Sequence, residues 1–462
     1  MGVKAVILAA GKGTRMKSEL PKVLHEAAGR PLVSWMLDTL VKAAVEDTAV
    51  VVGYRAPEVA ALLPAGVVAV EQTEQLGTGH AAAVGISGLD LGDDDVVLVL
   101  PGDMPLITAE TVSDLIETHR AAGASATVLT VHAPDPHGYG RVVRDHDGMV
   151  AAIVEQRDAT PELLAIDEVN TSVYAFSAAG LAELLQRIEP HNAQGEFYLT
   201  DAVALLNGDG KRVAAMATHA AEGLGVNSHA QLAEAASALR GRINRKWMEE
   251  GVAMTDPARV YLDADVELAP GVVIHPDTHV TGASVIGSGT SLGPSTFIAD
   301  SNIGSDCRVW YSVLRSVEVA SNVTIGPYAS LRPGTRLGEG SKAGTFVEIK
   351  ETDLGPGAKV PHLSYIGDAS IGADANVGAG TITANYDGYQ KHRTVIGDRV
   401  KIGSDNVLIA PVEIGDDAWT GAGSVISRDV SPGSLGVARS HQKEIEGYAE
   451  RRRNRAKEKD QQ

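Results

Sequence analysis

The sequence predicts an α/β fold followed by an all-β fold: a doubly wound, Rossmann-like domain, a long connecting helix and a parallel β-helix. Two observations predict this arrangement. In the first half, short β-branched runs alternate with helical stretches, which is typical of a parallel sheet with helices on both faces. In the second half, an aliphatic residue recurs at every sixth position, and 25 of the 50 glycines lie within residues 261–440.

The first half contains five runs that suit buried parallel strands. They are Val3–Ala9, Val50–Val52, Val67–Val70, Val96–Leu100 and Thr127–Val131, with helices expected at Leu32–Ala44 and Ala109–Ala122. Ligands of such sheets bind beyond the carboxyl ends of the strands. We therefore expect the functional residues of this half to follow strands.

A long helix is predicted over residues 229–250. Its apolar residues recur at steps of three and four, with charged residues between them: Leu232, Ala236, Leu239, Ile243 and Trp247. The expected domains are therefore 1–228, the linker helix 229–250, the β-helix 251–440 and a tail, 441–462. The end of this tail is charge-dense, and beyond Arg455 we interpret it as solvated.

The second half follows a six-residue repeat, the hexapeptide signature of a parallel β-helix. Aliphatic residues lead the hexads at Ile274, Val280, Ile286 and Leu292, then at Val319, Ile325, Leu331 and Leu337, then at Ile396, Ile402, Leu408 and Ile414, before Thr420. Three hexads make one triangular coil, so residues 274–425 predict about eight coils. The Thr381–Arg393 segment breaks the register, and we expect it to loop outward as a place for binding residues.

Composition excludes several classes of function. The formal charge is −19, and the chain has only 4 Phe, 4 Trp and 11 Tyr, so general nucleic-acid binding is disfavoured. The single cysteine, Cys307, fits a reducing compartment. No run approaches 18 apolar residues and the start lacks a basic leader, so we expect a cytoplasmic protein that does not span a membrane.

A glycine-rich segment, Leu8-Ala-Ala-Gly-Lys-Gly-Thr-Arg-Met16, follows the first strand and is expected to open a helix. Its backbone N–H groups suit a phosphate, and Lys12 and Arg15 add cations. A dinucleotide fingerprint would need a third glycine, and a Walker loop would need Gly-Lys-Ser/Thr; both are absent. A plain tight turn remains an alternative for this segment alone.

Further candidates follow in the first half. Lys22, after Pro21, is placed for a second phosphate, while Gln72 and the Gly77-Thr78 pair follow another strand and could read a base edge. Asp103 ends the strand-terminal sequence Pro101-Gly102-Asp103. A strand-end carboxylate beside a phosphate loop suits Mg²⁺, and a helix cap or turn is its alternative role.

These residues resemble the sugar-nucleotide pyrophosphorylases, and together with the hexapeptide half the chain resembles the bifunctional N-acetylglucosamine-1-phosphate uridyltransferases/glucosamine-1-phosphate acetyltransferases. The resemblance covers roughly residues 3–442 and implies a left-handed β-helix and a uridine nucleotide pocket. That pocket would comprise Leu8, Ala9, Ala10, Gly11, Arg15, Lys22, Gln72, Gly77, Thr78, Pro101, Gly102 and Asp103. The sugar would lie against Gly140, Glu155 and Asn170, and Mg²⁺ would bind Asp103 and Asn227.

The second half has its own candidates. A β-helix can be a mere spacer or trimerisation module, but Arg332 and Lys350 are cations apt for a sugar phosphate, and His362 stands near Tyr365. Acetyl transfer to an amine needs a base, and histidine suits that role. Cys307 lies outside this cluster, which disfavours an acyl-enzyme.

The resemblance assigns the roles in the second half residue by residue. It implies His362 as the base, with the acetyl acceptor held by Arg332, Lys350, Tyr365 and Asn376. Acetyl-CoA would meet Ala379, Asn385, Tyr386, Ser404, Ala422 and Arg439. We further expect Glu348 to orient His362, and the resemblance implies a homotrimer with the acetyl site between subunits.

The leading hypothesis is a two-site enzyme for cell-wall precursor synthesis. It would acetylate glucosamine-1-phosphate with acetyl-CoA, then transfer UMP from UTP to N-acetylglucosamine-1-phosphate, with Mg²⁺ as cofactor and pyrophosphate as product. Two alternatives stay open: a nucleotidyltransferase with a purely structural β-helix, and a non-catalytic scaffold or sugar-phosphate sensor. His362, Lys350 and the Asn385-Tyr386 pair argue against the first, and Lys22, Asp103 and Asn227 against the second.

Overall fold

The structure is a computed structural model that describes residues 2–223 and 225–459. The chain divides into two compact units, Met1–Ile243 and Asn244–Gln462. The division falls inside the helix His229–Glu249, which overlaps the predicted linker helix 229–250. Each unit is built around its own strands.

The first unit contains a nine-stranded sheet and a small separate hairpin. In chain order its strands are β1 (Val3–Leu8), β2 (Glu26–Ala27), β3 (Arg30–Pro31), β4 (Asp47–Val52), β5 (Val67–Glu71), β6 (Val96–Pro101), β7 (Ala126–His132), β8 (Arg141–Arg144), β9 (Val150–Val154), β10 (Glu168–Ser177) and β11 (Val213–Thr218). The main path runs β11-β7-β10-β6-β1-β4-β5, and β8 pairs with β10 and β9. The order β5-β4-β1-β6 reverses between β1 and β6, which is a topological switch point.

All five predicted strands exist and run parallel to one another, but an additional strand of the sheet is antiparallel and one of the five is not buried. The sheet is mixed, because β10 lies antiparallel between β6 and β7. β5 is not buried: it is the edge strand, and Val68 keeps 44% of its surface exposed. An edge strand has a neighbour on one side only, so its apolar residues are covered less completely.

Helices cover both faces of this sheet, and each face has a separate apolar core. They are α1 (Leu32–Lys42), α2 (Ala56–Ala60), α3 (Thr78–Ile86), α4 (Ala109–Ala122), α5 (Pro161–Leu164), α6 (Leu181–Gln186), α7 (Asp201–Gly208), α8 (Ala220–Gly223) and α9 (His229–Glu249), with 3₁₀ turns at Thr14–Met16 and Lys22–Leu24. Thr108 caps α4 by accepting a hydrogen bond from the N–H of Thr111, and Gly123 ends it in the left-handed conformation.

The amphipathic pattern of α9 has a packing counterpart. Leu239 and Ala235 are buried against Leu32, Leu106 and Val226 of the first unit. Leu232 and Ala236, both predicted, lie partly buried on the same cluster.

The last turns of α9 belong to the second unit. Trp247 is buried there, and Asn244 donates hydrogen bonds to the carbonyl oxygens of Pro257 (2.8 Å) and Val260 (3.0 Å). The buried amide of Asn244 therefore anchors the chain just before the first strand of the second unit.

In the second unit, short parallel strands stack in three columns. A strand generally pairs with the strand three places earlier in the chain, so that each turn of the chain adds one strand to every column. The first column is Ala253–Met254, Val273–Ile274, Ser291–Leu292, Arg308–Val309, Thr324–Ile325, Lys342–Thr345, Lys359–His362, Asn376–Val377, Lys401–Ile402, Trp419–Thr420 and Leu435–Gly436. The second is Val260–Leu262, Thr278–Thr281, Thr296–Ala299, Val313–Arg315, Ser330–Leu331, Glu348–Leu354, Tyr365–Ile371, Ile382–Ala384, Val407–Ile409 and Val425–Ile426. The third is Glu267–Leu268, Val285–Ile286, Asn302–Ile303, Glu318–Val319 and Arg336–Leu337, continues through the long strands Glu348–Leu354 and Tyr365–Ile371, and ends with Thr394–Ile396 and Val412–Ile414. A 3₁₀ turn spans Pro257–Arg259, and α10 spans Tyr448–Lys459.

The solenoid confirms the hexapeptide interpretation, and every predicted hexad leader is buried. The prediction of about eight coils for residues 274–425 agrees with the first column, in which eight coil-to-coil steps separate Val273–Ile274 from Trp419–Thr420. The column also has one strand before this range, Ala253–Met254, and one after it, Leu435–Gly436.

The stretch where the predicted register lapses contains shortened repeats: Ile298, Ile303, Val309, Leu314 and Val319 are all buried, although they are spaced by five, six, five and five residues. A turn at a corner of the coil can be one residue shorter while the next aliphatic side chain still points inward. A search for a strict six-residue repeat therefore fails at such a turn.

The predicted outward loop is shorter than expected. Ile382–Ala384 is a strand of the solenoid, and the buried Thr383 occupies a hexad position. The chain leaves the coil only between Ala384 and Thr394.

The C-terminal segment forms α10, a helix in which every residue is exposed. No helix within the described ranges is both long enough and apolar enough to cross a membrane.

We predict that Leu239→Ala lowers the free energy of unfolding of the first unit by about 2–5 kcal/mol, because it removes a side chain that is only 3% exposed. Val41→Ala is the matched control. This residue is also on a helix but is 74% exposed, so its substitution should change stability by less than about 0.5 kcal/mol. Denaturant unfolding followed by circular dichroism measures both variants, and equal effects would contradict the packing described here.

Candidate active sites

The first candidate site lies at the switch point of the sheet, where β1 and β6 end side by side. Leu8 and Pro101 are partners in the parallel register, and the N–H of Gly102 donates to the carbonyl oxygen of Leu8 over 2.9 Å. The glycine-rich loop and Asp103 therefore start from the same edge, as the sequence predicted.

The glycine-rich loop packs directly on Lys22. Gly13 has φ of +67°, and a Cβ atom there would lie 2.6 Å from Cβ of Lys22, so both its conformation and its closeness require glycine. Gln75, which the sequence analysis did not single out, donates from Nε2 to the carbonyl oxygen of Ala10 over 3.0 Å. Lys12 lies over the ring of Tyr54, 5.1 Å from its centre.

The expected helix after this loop is only a 3₁₀ turn, Thr14–Met16. The residues on either side of it, Gly13 and Lys17, both have left-handed backbone conformations, which end a helix. The loop therefore offers its own N–H groups and the cations nearby, with little help from a helix dipole.

Four predicted residues meet beside this loop. The ammonium of Lys22 forms an ion pair with Oδ2 of Asp103 and donates to Oδ1 of Asn227 over 3.1 Å. Nη2 of Arg15 donates to the same amide oxygen over 2.7 Å. Lys22 and Asn227 are 205 residues apart in sequence, so only the fold brings them together.

The loop that carries Asn227 is fixed on Asp103. The N–H of Val226 donates to the backbone oxygen of Asp103 over 2.9 Å, and a Cβ on Gly225 would lie 3.1 Å from Oδ1 of that carboxylate. The carboxylate and the amide oxygen therefore converge on one point, which the Lys22 ammonium occupies.

This donor set fits Mg²⁺. The ion prefers a few oxygen ligands from protein, completed by substrate phosphates and water, and here two oxygens already converge on a cation. Within the described parts of the chain, no group of three or more His, Cys, Asp and Glu side chains forms a complete metal cage. The two converging oxygens, of Asp103 and Asn227, suit a metal that takes its other ligands from substrate and water.

The predicted base-reading residues lie at the start of α3. Gln72 is only 4% exposed, and its Nε2 is 3.3 Å from the carbonyl oxygen of Gly77 and 2.9 Å from Nδ1 of His80. The hydroxyl of Thr78 accepts a hydrogen bond from the N–H of Leu199 over 3.0 Å. His80 was not predicted from the sequence.

The predicted sugar residues form one neighbourhood. The N–H of Asn170 donates to the carbonyl oxygen of Gly140 over 2.9 Å, and a Cβ on Gly140 would lie 3.3 Å from Oε1 of Glu155. Burial raises the pKa of Glu155, and the carboxylates of Asp158 and Asp201 raise it further. The Asn170 side chain is itself held, since its Nδ2 donates to the hydroxyl of Tyr174 over 2.8 Å.

One residue of this region was missed. Tyr139 precedes Gly140, and its pKa is raised first by burial and then by the charge of Asp103. No motif in the sequence distinguishes it from an ordinary loop tyrosine.

In the second unit, one predicted acceptor residue, Lys350, and one predicted acetyl-CoA residue, Asn385, contact a carboxylate that the sequence analysis missed, that of Asp368. The Lys350 ammonium lies 3.4 Å from Oδ2 of Asp368, and Nδ2 of Asn385 donates to the same oxygen. The hydroxyl of Tyr365 is 3.5 Å from Nδ2 of Asn385. The side chain of Lys391, also missed, lies beside Lys350, and that neighbouring charge lowers the pKa of Lys391.

Arg332 lies on the preceding coil, next to the strand that carries Lys350. Its backbone N–H donates to the carbonyl oxygen of Ile349 on that strand over 2.9 Å. Its guanidinium donates to Oε1 of Glu348 over 2.9 Å. Among the described contacts none joins Glu348 to His362, so the expected orienting role of Glu348 has no support in the structure.

His362 is exposed at one corner of the solenoid, at the end of its strand. Its backbone oxygen accepts from the hydroxyl of Ser364 over 2.7 Å and from the N–H of Gly380, on the next coil, over 3.4 Å. Asn376 lies on that next coil of the same column, paired with Lys359 and half-buried. The backbone of His362 is therefore fixed in the corner of the solenoid, while the residue itself is exposed.

The residues predicted to meet acetyl-CoA continue along this corner on successive coils: Ala379, Ser404, Ala422 and Arg439. A Cβ on Gly378 would lie 2.5 Å from the backbone nitrogen of Ser404, and one on Gly403 would lie 2.6 Å from that of Ala422. These close approaches let the coils stack tightly. Tyr386 is exposed on the loop that leaves the solenoid after Ala384.

Comparison with known proteins agrees with this division. Residues 5–250 match the family model of the MobA-like NTP transferase domain, and residues 393–428 match that of the bacterial transferase hexapeptide (six repeats). The fold and the two clusters thus define a two-domain transferase, with a nucleotidyltransferase domain followed by a hexapeptide-repeat transferase domain.

Several full-length relatives carry one name. The bifunctional protein GlmU of Shouchella clausii is 46% identical over 448 residues, covering 97% of this chain and 98% of the relative. That of Carboxydothermus hydrogenoformans is 47% identical over 447 residues, covering 96% and 100%, and that of Streptomyces coelicolor is 46% identical over 453 residues, covering 97% and 94%. The chain belongs to the family of the bifunctional protein GlmU.

Proposed function

We propose that this chain acetylates glucosamine-1-phosphate with acetyl-CoA and transfers UMP from UTP to N-acetylglucosamine-1-phosphate. The products would be UDP-N-acetylglucosamine, for cell-wall precursor synthesis, and pyrophosphate. The observation that carries the proposal is the meeting of Lys22, Asp103, Asn227 and Arg15 at the switch point of the sheet. Two cations and two oxygen ligands beside a glycine-rich loop suit a nucleoside triphosphate with its metal.

In uridylyl transfer, a phosphate oxygen of the sugar phosphate attacks the α-phosphorus of UTP, and the bond from that phosphorus to the bridging oxygen breaks to release pyrophosphate. Catalysis of this step consists mainly of positioning and charge neutralisation. Lys22 and Arg15 are placed to neutralise phosphate charge, and the loop N–H groups are placed to orient the chain of phosphates.

Mg²⁺ would be held by Asp103 and Asn227, and when bound it supplies positive charge to the phosphate oxygens. Because Lys22 donates to both of these ligands, we infer that its ammonium moves from them to a phosphate when substrate and metal bind. The sugar would lie against Gly140, Glu155 and Asn170, whose contacts form one neighbourhood.

In acetyl transfer, the amine nitrogen of the sugar attacks the thioester carbon, the carbon–sulfur bond breaks, and coenzyme A leaves as a thiolate that takes up the proton from the protonated base. His362 would accept the proton that the amine loses, since the residue is exposed at a corner of the solenoid that fixes its backbone. The adjacent ammonium groups of Lys350 and Lys391 suit the phosphate of the acceptor.

The alternative of a covalent acetyl-cysteine has no support in this chain. Cys307 is only 2% exposed, and burial raises the pKa of its thiol, which opposes formation of a thiolate nucleophile. Acetyl-CoA would instead lie along the corner that carries Ala379, Ser404, Ala422 and Arg439, with Asn385 and Tyr386 on the neighbouring loop.

The proposal includes an assembly and a location. We infer a homotrimer formed through the β-helix, because flat solenoid faces suit packing around a threefold axis, and a cytoplasmic enzyme, because both co-substrates are cytoplasmic metabolites. The partners would be the four small-molecule substrates, without nucleic acid or membrane.

The metal site predicts the behaviour of Asp103→Asn. The substitution keeps the shape of the side chain and removes the charged ligand, so pyrophosphate release should fall by at least about 10²-fold while release of coenzyme A stays within about twofold of the unsubstituted enzyme. Both rates are measured on one preparation with Mg²⁺ present.

Asp209→Asn is the matched control for this variant. Asp209 also pairs with a cation, Arg187, over 2.6 Å, but it lies at the end of α7, outside the candidate site. Its substitution should leave both activities unchanged. Equal loss of both activities in a folded Asp103→Asn variant would contradict the assignment.

The corner geometry predicts the behaviour of His362→Ala. Removing a positioned base should lower kcat for acetyl transfer by about 10²–10⁴-fold, with little change in KM for acetyl-CoA. Uridyltransfer from ready-made N-acetylglucosamine-1-phosphate should be unaffected.

The control is His275→Ala, five coils earlier in the same strand column. It should retain acetyl transfer. If a His362→Ala variant with unchanged melting temperature transfers acetyl groups at nearly the normal rate, His362 is not the base.

A further inference from the structure

We propose that His80 is a positioning residue for base selection: it fixes the orientation of the Gln72 amide, so that the site accepts uracil and rejects cytosine. This inference rests on the proposed uridyltransfer and concerns a residue that neither the sequence motifs nor the proposed mechanism uses. It follows from the number of hydrogens that the Gln72 amide has available.

The first step concerns the two partners of the amide nitrogen. Nε2 of Gln72 lies 3.3 Å from the carbonyl oxygen of Gly77 and 2.9 Å from Nδ1 of His80. The carbonyl oxygen can only accept, so the atom that faces it must be the NH₂ group. An amide nitrogen has no acceptor capacity, so Nδ1 of His80 must be the unprotonated ring nitrogen.

The second step concerns the hydrogen-bonding groups of the Gln72 amide that remain available to a nucleotide. An amide NH₂ carries two hydrogens, and Gly77 and His80 take one each. Within residues 2–223 and 225–459, no side chain or backbone group donates to Oε1 of Gln72, and this oxygen is not among the fully buried atoms that lack a partner. Gln72 can therefore present only an acceptor to a nucleotide base.

The third step concerns the bases. Uracil carries an N–H donor at N3, whereas cytosine carries an acceptor lone pair at the same position. An acceptor-only amide gains a hydrogen bond from uracil and faces a second acceptor in cytosine. A site whose buried polar group is left unpaired by the wrong ligand discriminates strongly.

The surroundings of His80 keep its ring in place. The residue lies in the first turn of α3, and its ring is 6.4 Å from that of Phe197. The segment of Phe197 is tied to the same turn, since the N–H of Gly79 donates to its carbonyl oxygen over 2.8 Å. His80 thus acts on the nucleotide through Gln72 and needs no contact with the base itself.

The test measures selectivity. The ratio of kcat/KM for UTP to kcat/KM for CTP is determined with N-acetylglucosamine-1-phosphate and Mg²⁺ for the unsubstituted enzyme, His80→Phe and His80→Asn. Phenylalanine keeps a planar ring without an acceptor, so only the longer contact to the Gly77 carbonyl oxygen, 3.3 Å, still holds the NH₂ group. The amide can then rotate more easily and donate to N3 of cytosine. We expect the ratio to fall by about tenfold or more, through both weaker use of UTP and stronger use of CTP.

Two controls accompany this variant. Asparagine places a polar atom near the position of Nδ1, so His80→Asn should restore most of the ratio. His146→Phe, at a side chain that is 90% exposed on a distant loop, should not change it.

The outcomes separate this inference from the proposed function. An enzyme that uses neither nucleotide would overturn uridyltransfer and the inference together. An enzyme selective for UTP whose His80→Phe variant keeps the same ratio would overturn only the role of His80. If His80→Phe does not fold, as judged by its melting temperature, the ratio of His80→Asn to His80→Leu decides: equal ratios would overturn the proposal.

Discussion

Parallel strand register is the constraint on which both candidate sites depend. In the first unit it aligns the ends of β1 and β6, so that the glycine-rich loop and Asp103 leave the sheet at one edge. In the second unit it stacks successive coils, so that His362, Ser404 and Ala422 follow one another along a corner. In each case a residue's position within its strand decides whether its side chain reaches the site.

Charge then decides what these aligned residues can do. In the first unit the Lys22 ammonium contacts both Asp103 and Asn227, which offsets the repulsion between a carboxylate and an amide oxygen that point at the same place. In the second unit the signs are reversed: the carboxylate of Asp368 lies against the ammonium of Lys350 and balances its positive charge. Both clusters thus carry a built-in counter-charge that a charged ligand can replace.

Much of this organisation could be predicted from the sequence, because buried strands and hexads leave periodic apolar signals and strand-end motifs leave local ones. The antiparallel β10 could not, since its direction depends on partners distant in sequence. The shortened coils around Ile303 could not be predicted either, because the aliphatic residues stay buried there while the number of residues between them changes. Asp368, Lys391 and His80 were missed because each is linked to a predicted residue by a contact that the fold creates, and no local motif records such a contact.

The central claim is that one chain carries two separate chemistries, of which the acetyl transfer supplies the substrate of the other. It is tested most directly by giving the purified full-length chain glucosamine-1-phosphate, UTP and Mg²⁺, then adding acetyl-CoA, while free thiol and pyrophosphate are followed separately. The account predicts little pyrophosphate before acetyl-CoA is added, then thiol release followed by pyrophosphate after a lag, with the lag abolished by ready-made N-acetylglucosamine-1-phosphate. Pyrophosphate release at the full rate without acetyl-CoA, or no thiol release at all, would contradict it.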